Sequence, residues 1–121
     1  MQRVFLVEDS ASIRKRLLRL LESVPGARVI GQASDADEAI AAILDARPDV
    51  VLLDLRLEQG SGFDVLRAVH SLEPSIAFYM LSNFASEPYR RHAEHLGARG
   101  FFDKSTDFER LRDVVAQRAA S

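Results

Sequence analysis

Short apolar runs alternate along the chain with longer segments in which apolar residues recur every three or four positions. An apolar run without alternation is typical of a strand covered on both faces, and the longer period is typical of an amphipathic helix. The predicted strands comprise residues 4–7, 28–33, 50–54, 76–81 and 100–102. Four of the predicted helices follow Ser10 or Ser12, Asp35, Ser86 and Thr106, and the third of the five begins at Gly62.

Residues suited to starting a helix precede several of these segments. Asp35 with Glu38, and Thr106 with Glu109, match the capping-box pattern, in which the first side chain accepts a hydrogen bond from a backbone N–H of the first turn. The third helix is expected to bury Leu72 along its apolar face.

Five strand–helix pairs in strict alternation, with short connections, predict an α/β fold in which helices cover both faces of a parallel sheet. The strand at 50–54 is the most apolar, with four apolar residues before Asp54. The strand at 28–33 is less apolar, so it is expected at an edge. Without a linker, repeat or low-complexity segment, residues 1–121 are expected to form one domain.

Composition narrows the classes of function. The 121 residues carry a net charge of -2, and the basic residues form no tract, so direct nucleic-acid binding is not expected. There is no cysteine, which excludes disulfides, thiolate metal sites and a cysteine nucleophile. The N-terminus is unlike a signal peptide and the apolar runs are too short to cross a bilayer, so we expect a cytoplasmic protein without a membrane partner.

Polar side chains follow four of the predicted strands. They are Glu8 and Asp9, Asp54, Ser82, and Lys104. Parallel strands bring their carboxyl ends to one edge of the sheet, so these side chains are expected to converge. Clustered carboxylates repel one another, and a Mg²⁺ ion, which prefers oxygen ligands, would relieve the repulsion. A lysine and a hydroxyl beside it suit phosphoryl transfer, with an aspartate as the nucleophile.

This arrangement resembles the receiver domain of two-component response regulators, over essentially the whole chain. Gly62, eight residues after Asp54, and the stretch 97–104 match the family as well. The resemblance implies a flavodoxin-like sheet of five parallel strands in the order 2-1-3-4-5, flanked by five helices in three layers. It also implies a phosphorylated signalling switch rather than an enzyme acting on separate substrates.

The resemblance implies a role for each site residue. Asp54 would accept a phosphoryl group from a sensor histidine kinase or a phosphotransfer protein, and Lys104 would pair with the phosphate. Asp9, Asp54 and the backbone carbonyl of Arg56 would bind Mg²⁺, with Glu8 assisting through water. Ser82 would turn toward the phosphate, and Phe101 would follow it inward.

Several positions depart from the common pattern of the family. Leu57-Glu58 stands where a methionine–proline pair is frequent, and Ser105 follows the lysine where many members have a proline after a cis peptide bond. Arg56 and Phe84 lie two residues beyond Asp54 and Ser82, where the family's residues influence loss of the phosphate. We expect a longer-lived phosphoryl group than in a Phe84→Glu variant.

The resemblance also suggests partners and leaves alternatives open. Arg90 and Arg91, on the helix before the strand of Phe101, would contribute with Phe101 to a surface for a downstream protein, and a homodimer is a further option. One alternative is a receiver-like binding module that works without phosphorylation. A second is a receiver cut from a longer DNA-binding regulator. A third, an aspartyl-phosphate enzyme acting on small molecules, would need a cap domain. His92 and His95 share a helix face, but no third ligand accompanies them.

Overall fold

A computed structural model describes residues 1–83 and 86–120, which form five strands and five helices in strict alternation. The elements are β1 (Gln2–Val7), α1 (Ala11–Glu22), β2 (Ala27–Ala33), α2 (Ala36–Ala46), β3 (Val50–Asp54), α3 (Gly62–His70), β4 (Ala77–Ser82), α4 (Glu87–His95), β5 (Gly100–Asp103) and α5 (Phe108–Ala120). The strands form one parallel sheet in the order β2-β1-β3-β4-β5. The predicted fold class and strand order are therefore confirmed.

The β3 strand lies at the centre of the sheet, and all five of its residues are buried. It pairs with β1 on one side and β4 on the other. Alternate residues of β3 point to opposite faces, so Val51 and Leu53 belong to one core and Val50 and Leu52 to the other. An unbroken apolar run is required because both faces need apolar side chains.

Two apolar cores fill the space between the sheet and the helices. On one face α2, α3 and α4 contribute buried residues, including Ile43, Leu66 and Ala93. On the other face α1 and α5 contribute Leu17 and Leu111, among others. The sheet is thus held in place from both sides, which fixes the positions of its strand ends.

Some of the predicted helix ends agree with the structure and others do not. Ser10 accepts a hydrogen bond from the Ile13 N–H and Asp35 accepts one from the Glu38 N–H, so both caps are confirmed. The prediction for Leu72 was wrong: α3 ends at His70, and Leu72 is 65% exposed. The chain forms a turn after α3, and Leu72 lies in this turn and not against the core.

The start of the last helix also differs from the prediction. The helix α5 begins at Phe108, so Asp107 rather than Thr106 precedes its first residue. The Asp107 side chain accepts a hydrogen bond from the backbone N–H of Asp103 instead, at 2.8 Å. Among residues 1–83 and 86–120, none of the helices combines the length and apolar character needed to cross a membrane.

Candidate phosphoacceptor site

The carboxyl ends of β1, β3, β4 and β5 surround a pocket of about 230 Å³. Its lining comprises Glu8, Asp9, Ser10, Ile13, Asp54, Arg56, Ser82, Asn83 and Lys104. The side chains that follow four different strands in the sequence therefore meet in one place, because parallel strands end on the same edge. Three further predicted residues, Phe101, Arg90 and Arg91, lie outside this pocket.

Three carboxylates share the floor of the pocket. Glu8, Asp9 and Asp54 each offer an oxygen, and these oxygens all lie within 4.8 Å of one another. Glu8 and Asp54 are buried, and Asp9 is half-buried. A cluster of carboxylate oxygens at this spacing fits a hard divalent cation such as Mg²⁺.

The ammonium group of Lys104 lies against two of these carboxylates. Its Nζ is 2.6 Å from Glu8 Oε1 and 2.9 Å from Asp54 Oδ2. The backbone N–H of Lys104 donates to the Ser82 carbonyl at 3.0 Å, which ties the end of β5 to the end of β4. A buried cation is thus held where it offsets part of the carboxylate charge.

Burial and mutual repulsion alter the protonation equilibria of the cluster. Burial raises the pKa of Glu8, although the hydrogen bond from Lys104 opposes the shift. Burial also raises the pKa of Asp9, with the hydrogen bond and charge of Glu8 adding to the effect. Burial alone would lower the pKa of Lys104, but its hydrogen bonds to Glu8 and Asp54 outweigh burial and raise it. The site therefore holds more negative charge than one lysine neutralises.

The loop between β1 and α1 holds Glu8 in position. Glu8 Oε2 accepts a hydrogen bond from the Ser10 N–H at 3.0 Å, and the Glu8 carbonyl accepts one from Arg14 Nη1 at 2.7 Å. Arg14 is a residue of α1 that the sequence pattern does not link to the site. Its spacing from Glu8 does not reveal that its side chain turns back over the loop.

The loop between β3 and α3 holds Asp54. The Arg56 backbone N–H donates to Asp54 Oδ1 at 3.3 Å, and the Gly62 N–H donates to the Leu55 carbonyl at 2.8 Å. A Cβ atom at position 62 would overlap the Asp54 carbonyl oxygen and crowd Met80 Cε. Glycine at this position therefore lets the start of α3 pack directly against the backbone of Asp54.

Phe101 is buried, at 7% exposure, on the strand β5 at the edge of the sheet. Its carbonyl accepts hydrogen bonds from Arg90 Nη1 of α4 and Arg110 Nη2 of α5, each at 3.1 Å. The Arg90 guanidinium also lies 5.2 Å from the centre of the Phe101 ring. Arg91 is exposed and pairs with Glu87 at 3.3 Å. Nothing in the spacing of Arg110 along the sequence links it to Phe101.

Of the departures at Ser105 and Phe84, only the one at Ser105 can be compared with the structure. The Lys104–Ser105 peptide bond is trans. The prediction for Phe84 falls on a residue outside those the structure describes.

Comparison with known proteins identifies relatives over most of the chain. Protein-glutamate methylesterase/protein-glutamine glutaminase 3 of Geobacter sulfurreducens is 39% identical over 104 residues, which cover 86% of this chain and 28% of that protein. The DNA-binding transcriptional activator DevR/DosR of Mycobacterium tuberculosis is 36% identical over 123 residues, which cover 98% of this chain and 57% of that protein. This chain therefore corresponds to part of each relative.

A solved structure agrees with the same assignment. A two-component response regulator of the LuxR family from Aurantimonas sp. SI85-9A1 superimposes with a TM-score of 0.91 and 28% identity, over 99% of this chain and 86% of that one. The family model of the response regulator receiver domain matches residues 4–116. With its strand order and its acidic pocket, this chain belongs to the response regulator receiver domain family.

Proposed function

We propose that this chain is a phosphoacceptor in two-component signalling, with Asp54 receiving the phosphoryl group. The observation that carries the proposal is the placement of Asp54 beside Glu8, Asp9 and Lys104 at one edge of the sheet. Receiver domains interact with histidine kinases, so we propose a phosphohistidine on a sensor kinase or a phosphotransfer protein as the donor. In this proposal, residues 1–121 act as one receiver unit in the cytoplasm.

In the proposed reaction, a carboxylate oxygen of Asp54 attacks the phosphorus atom and a P–O bond forms. The P–N bond of the donor breaks, and its electron pair stays on the imidazole nitrogen. The other ring nitrogen of the phosphohistidine already carries a proton, so the imidazole leaves as a neutral ring. Lys104 Nζ is already within reach of Asp54, so its charge favours the developing phosphate there. No separate substrate is consumed beyond the donor.

The proposed cofactor is Mg²⁺. Asp9 and Asp54 would hold it with the Arg56 backbone carbonyl, and Glu8 would assist through water. When bound, this ion neutralises charge on the transferred group. The clustered oxygens of Glu8, Asp9 and Asp54 support the proposal. Burial raises the pKa of Glu8 and of Asp9, and a divalent cation bound there would favour their charged forms.

The proposed switch involves Ser82, which lines the pocket, and Phe101, which lies outside it. Ser82 is buried at the end of β4 and lines the same pocket as Asp54. A movement of Ser82 would alter the packing of Phe101 and its two arginines. We propose that Arg90, Arg91 and Phe101 contribute to the surface that a downstream protein, or a second copy of the chain, contacts.

The two relatives support this proposal only for the part of each protein that matches this chain. One is a methylesterase/glutaminase and the other a DNA-binding activator, and in each the similarity covers the portion that corresponds to this chain. Relatives with such different activities support a shared receiver function. Neither esterase nor DNA-binding activity is proposed for these residues.

Intact mass after incubation with Mg²⁺ and acetyl phosphate tests the proposal. The wild type is expected to gain one phosphoryl group, and Asp54→Asn none. Asp113→Asn, which changes an exposed carboxylate of α5, is the matched control and should be modified like the wild type. Equal modification of the wild type and Asp54→Asn, or none in the wild type, would contradict the proposal.

A further inference from the structure

The turn between β5 and α5 contains a hydrogen-bond network on both sides of Lys104. Asp103 Oδ1 accepts from the backbone N–H of Ser105 at 2.8 Å and also from the Ser105 hydroxyl. The Asp103 N–H donates to Asp107 Oδ2 at 2.8 Å, and the Asp107 N–H donates back to the Asp103 carbonyl at 2.9 Å. Lys104 is therefore the central residue of a turn closed by an aspartate side chain.

The turn matters because the Lys104 side chain is long. Four rotatable bonds separate its Cα from the ammonium group, which must lie within hydrogen-bonding distance of both Glu8 and Asp54. The backbone N–H of Lys104 is fixed by the Ser82 carbonyl. The residues on either side are fixed by the Asp103–Ser105 bonds, so the direction in which the side chain leaves the backbone is fixed as well.

Ser105 is also the position at which this chain departs from many family members. A proline there would lack the N–H that Asp103 accepts, so it is incompatible with this hydrogen bond. The hydroxyl adds a second donor to the same carboxylate oxygen. The same two donors hold the pKa of Asp103 below its usual value, which keeps the acceptor charged.

We propose that Asp103 and Ser105 are positioning residues for Lys104, and that their hydrogen bonds replace the proline in directing its ammonium group toward a phosphoryl group on Asp54. The proposal rests on the phosphoacceptor function. Neither residue lines the pocket, so both act through Lys104. The competing explanation is that the network only helps to start α5, in which case its loss would lower stability without a specific effect on Lys104.

The test compares rates of phosphoryl uptake from acetyl phosphate at saturating Mg²⁺, followed by intact mass. Asp103→Ala removes the acceptor and is expected to slow uptake roughly tenfold, since a misplacement of about 1 Å can cost up to about 100-fold. Ser105→Ala keeps the N–H and should slow uptake by about threefold, while Ser105→Thr restores the hydroxyl and the wild-type rate. Ser75→Ala changes an exposed serine before β4, at the opposite edge of the sheet, and is the control.

Two further readouts separate positioning from simple stabilisation. In a Lys104→Gln background, Asp103→Ala should have no additional effect, because the group it positions is gone. With Lys104 unchanged, the Mg²⁺ affinity of Asp103→Ala, measured by NMR titration, should not fall more than about twofold below that of the wild type. Its proposed ligands are untouched, and a displaced ammonium group repels the ion less.

The outcomes distinguish this inference from the function on which it rests. Uptake by Asp103→Ala within twofold of the wild type, an equal slowing in the Lys104→Gln background, or a parallel loss of Mg²⁺ affinity would each overturn the positioning role alone. A wild type that takes up no phosphoryl group would overturn the proposed function and this inference with it.

Discussion

Glu8 and Lys104 form a nearly fully buried ion pair, with Oε1 and Nζ 2.6 Å apart and side-chain exposures of 1% and 7%. Removing one partner of such a pair leaves the other charge without compensation in a poorly solvated place. Such a loss is more costly than replacing both partners together. In this protein the cost is increased by Asp54, which shares the same ammonium group.

Lys104→Met is therefore expected to lower the free energy of unfolding by about 3 kcal/mol, measured by urea denaturation at neutral pH without divalent cations. The double variant Glu8→Gln/Lys104→Met should be more stable than Lys104→Met alone, because one of the uncompensated carboxylates is gone. The chain has one other lysine, the exposed Lys15, and Lys15→Met is the control. A Lys104→Met variant as stable as Lys15→Met would contradict the prediction.

The carboxylates of the site predict a pH dependence of stability. Because Glu8 and Asp9 have raised pKa values in the folded protein, the folded state retains protons that the unfolded chain releases from about pH 4 upward. Their contribution favours folding at low pH and is lost as the pH rises through the folded-state values. Without divalent cations, the stability of the wild type relative to Asp9→Asn should therefore fall as the pH rises from about pH 4.

That comparison reports the titration of Asp9 together with its coupling to Glu8, since both proteins share the remaining titrating groups. Asp113→Asn, measured in the same way, controls for the loss of one surface carboxylate. The prediction would be contradicted if the stability of the wild type relative to Asp9→Asn increased as the pH rises. The folded protein would then favour the charged form of the Asp9 carboxylate.

Divalent cations are expected to offset the loss of stability that the charged carboxylates cause. Mg²⁺ that binds the folded protein alone should stabilise it by about 2.7 kcal/mol at a concentration 100 times its Kd. The measurement is thermal unfolding followed by circular dichroism, with NaCl at matched ionic strength as the control. Asp9→Asn should lose most of the gain. A gain that NaCl reproduces would indicate charge screening and not a metal site.

The fold could be predicted from the sequence because its signals are local. The unbroken apolar run before Asp54 and the polar residues at the ends of four strands identify the sheet and the edge that carries the candidate site. The prediction for Leu72 was wrong because this residue continues the apolar period of α3, although the helix has already ended at His70. The period of apolar residues identifies which face of a helix is buried. The residue at which the helix ends depends on contacts with the rest of the protein.

The parts of the site that could not be predicted depend on long side chains crossing between elements. Arg14 reaches back to the Glu8 carbonyl, and Arg90 and Arg110 meet at the Phe101 carbonyl from two different helices. An arginine on an amphipathic helix looks the same in the sequence whether it faces solvent or folds back. Only the packing of the helices on the sheet decides which occurs.

The two arginines on Phe101 predict non-additive effects on stability. Because Arg90 and Arg110 donate to the same carbonyl, either one can compensate in part for the loss of the other at that oxygen. Arg110 also contacts Asp107 and the Phe102 ring, and each single change to alanine should cost about 0.5 kcal/mol. The double variant should cost about 1.5 kcal/mol, more than the sum, with faster amide exchange in β5. Arg91→Ala, at an exposed neighbouring position, controls for loss of charge on α4. Additive losses would contradict a shared acceptor.

The contact between α3 and α4 predicts how firmly α4 is held. Of residues 87–95 in α4, all described, Ala93 alone is buried, so ring contacts at the helix surface carry unusual weight. The ring of Phe63 meets His92 edge-on at a centroid distance of 4.6 Å and lies 6.4 Å from Tyr89. An aromatic pair contributes about 0.5–1.5 kcal/mol beyond the area it buries.

Phe63→Leu, which keeps an apolar side chain but removes the ring, should therefore speed amide exchange in α4 about fivefold and leave α1 unchanged. Hydrogen exchange followed by mass spectrometry resolves the two helices. Tyr89→Phe retains the ring and should exchange like the wild type. Equal acceleration in α1 and α4 would instead indicate global destabilisation. Because α4 carries Arg90, a selective effect would also mean that the α3 contact helps to place a guanidinium on Phe101.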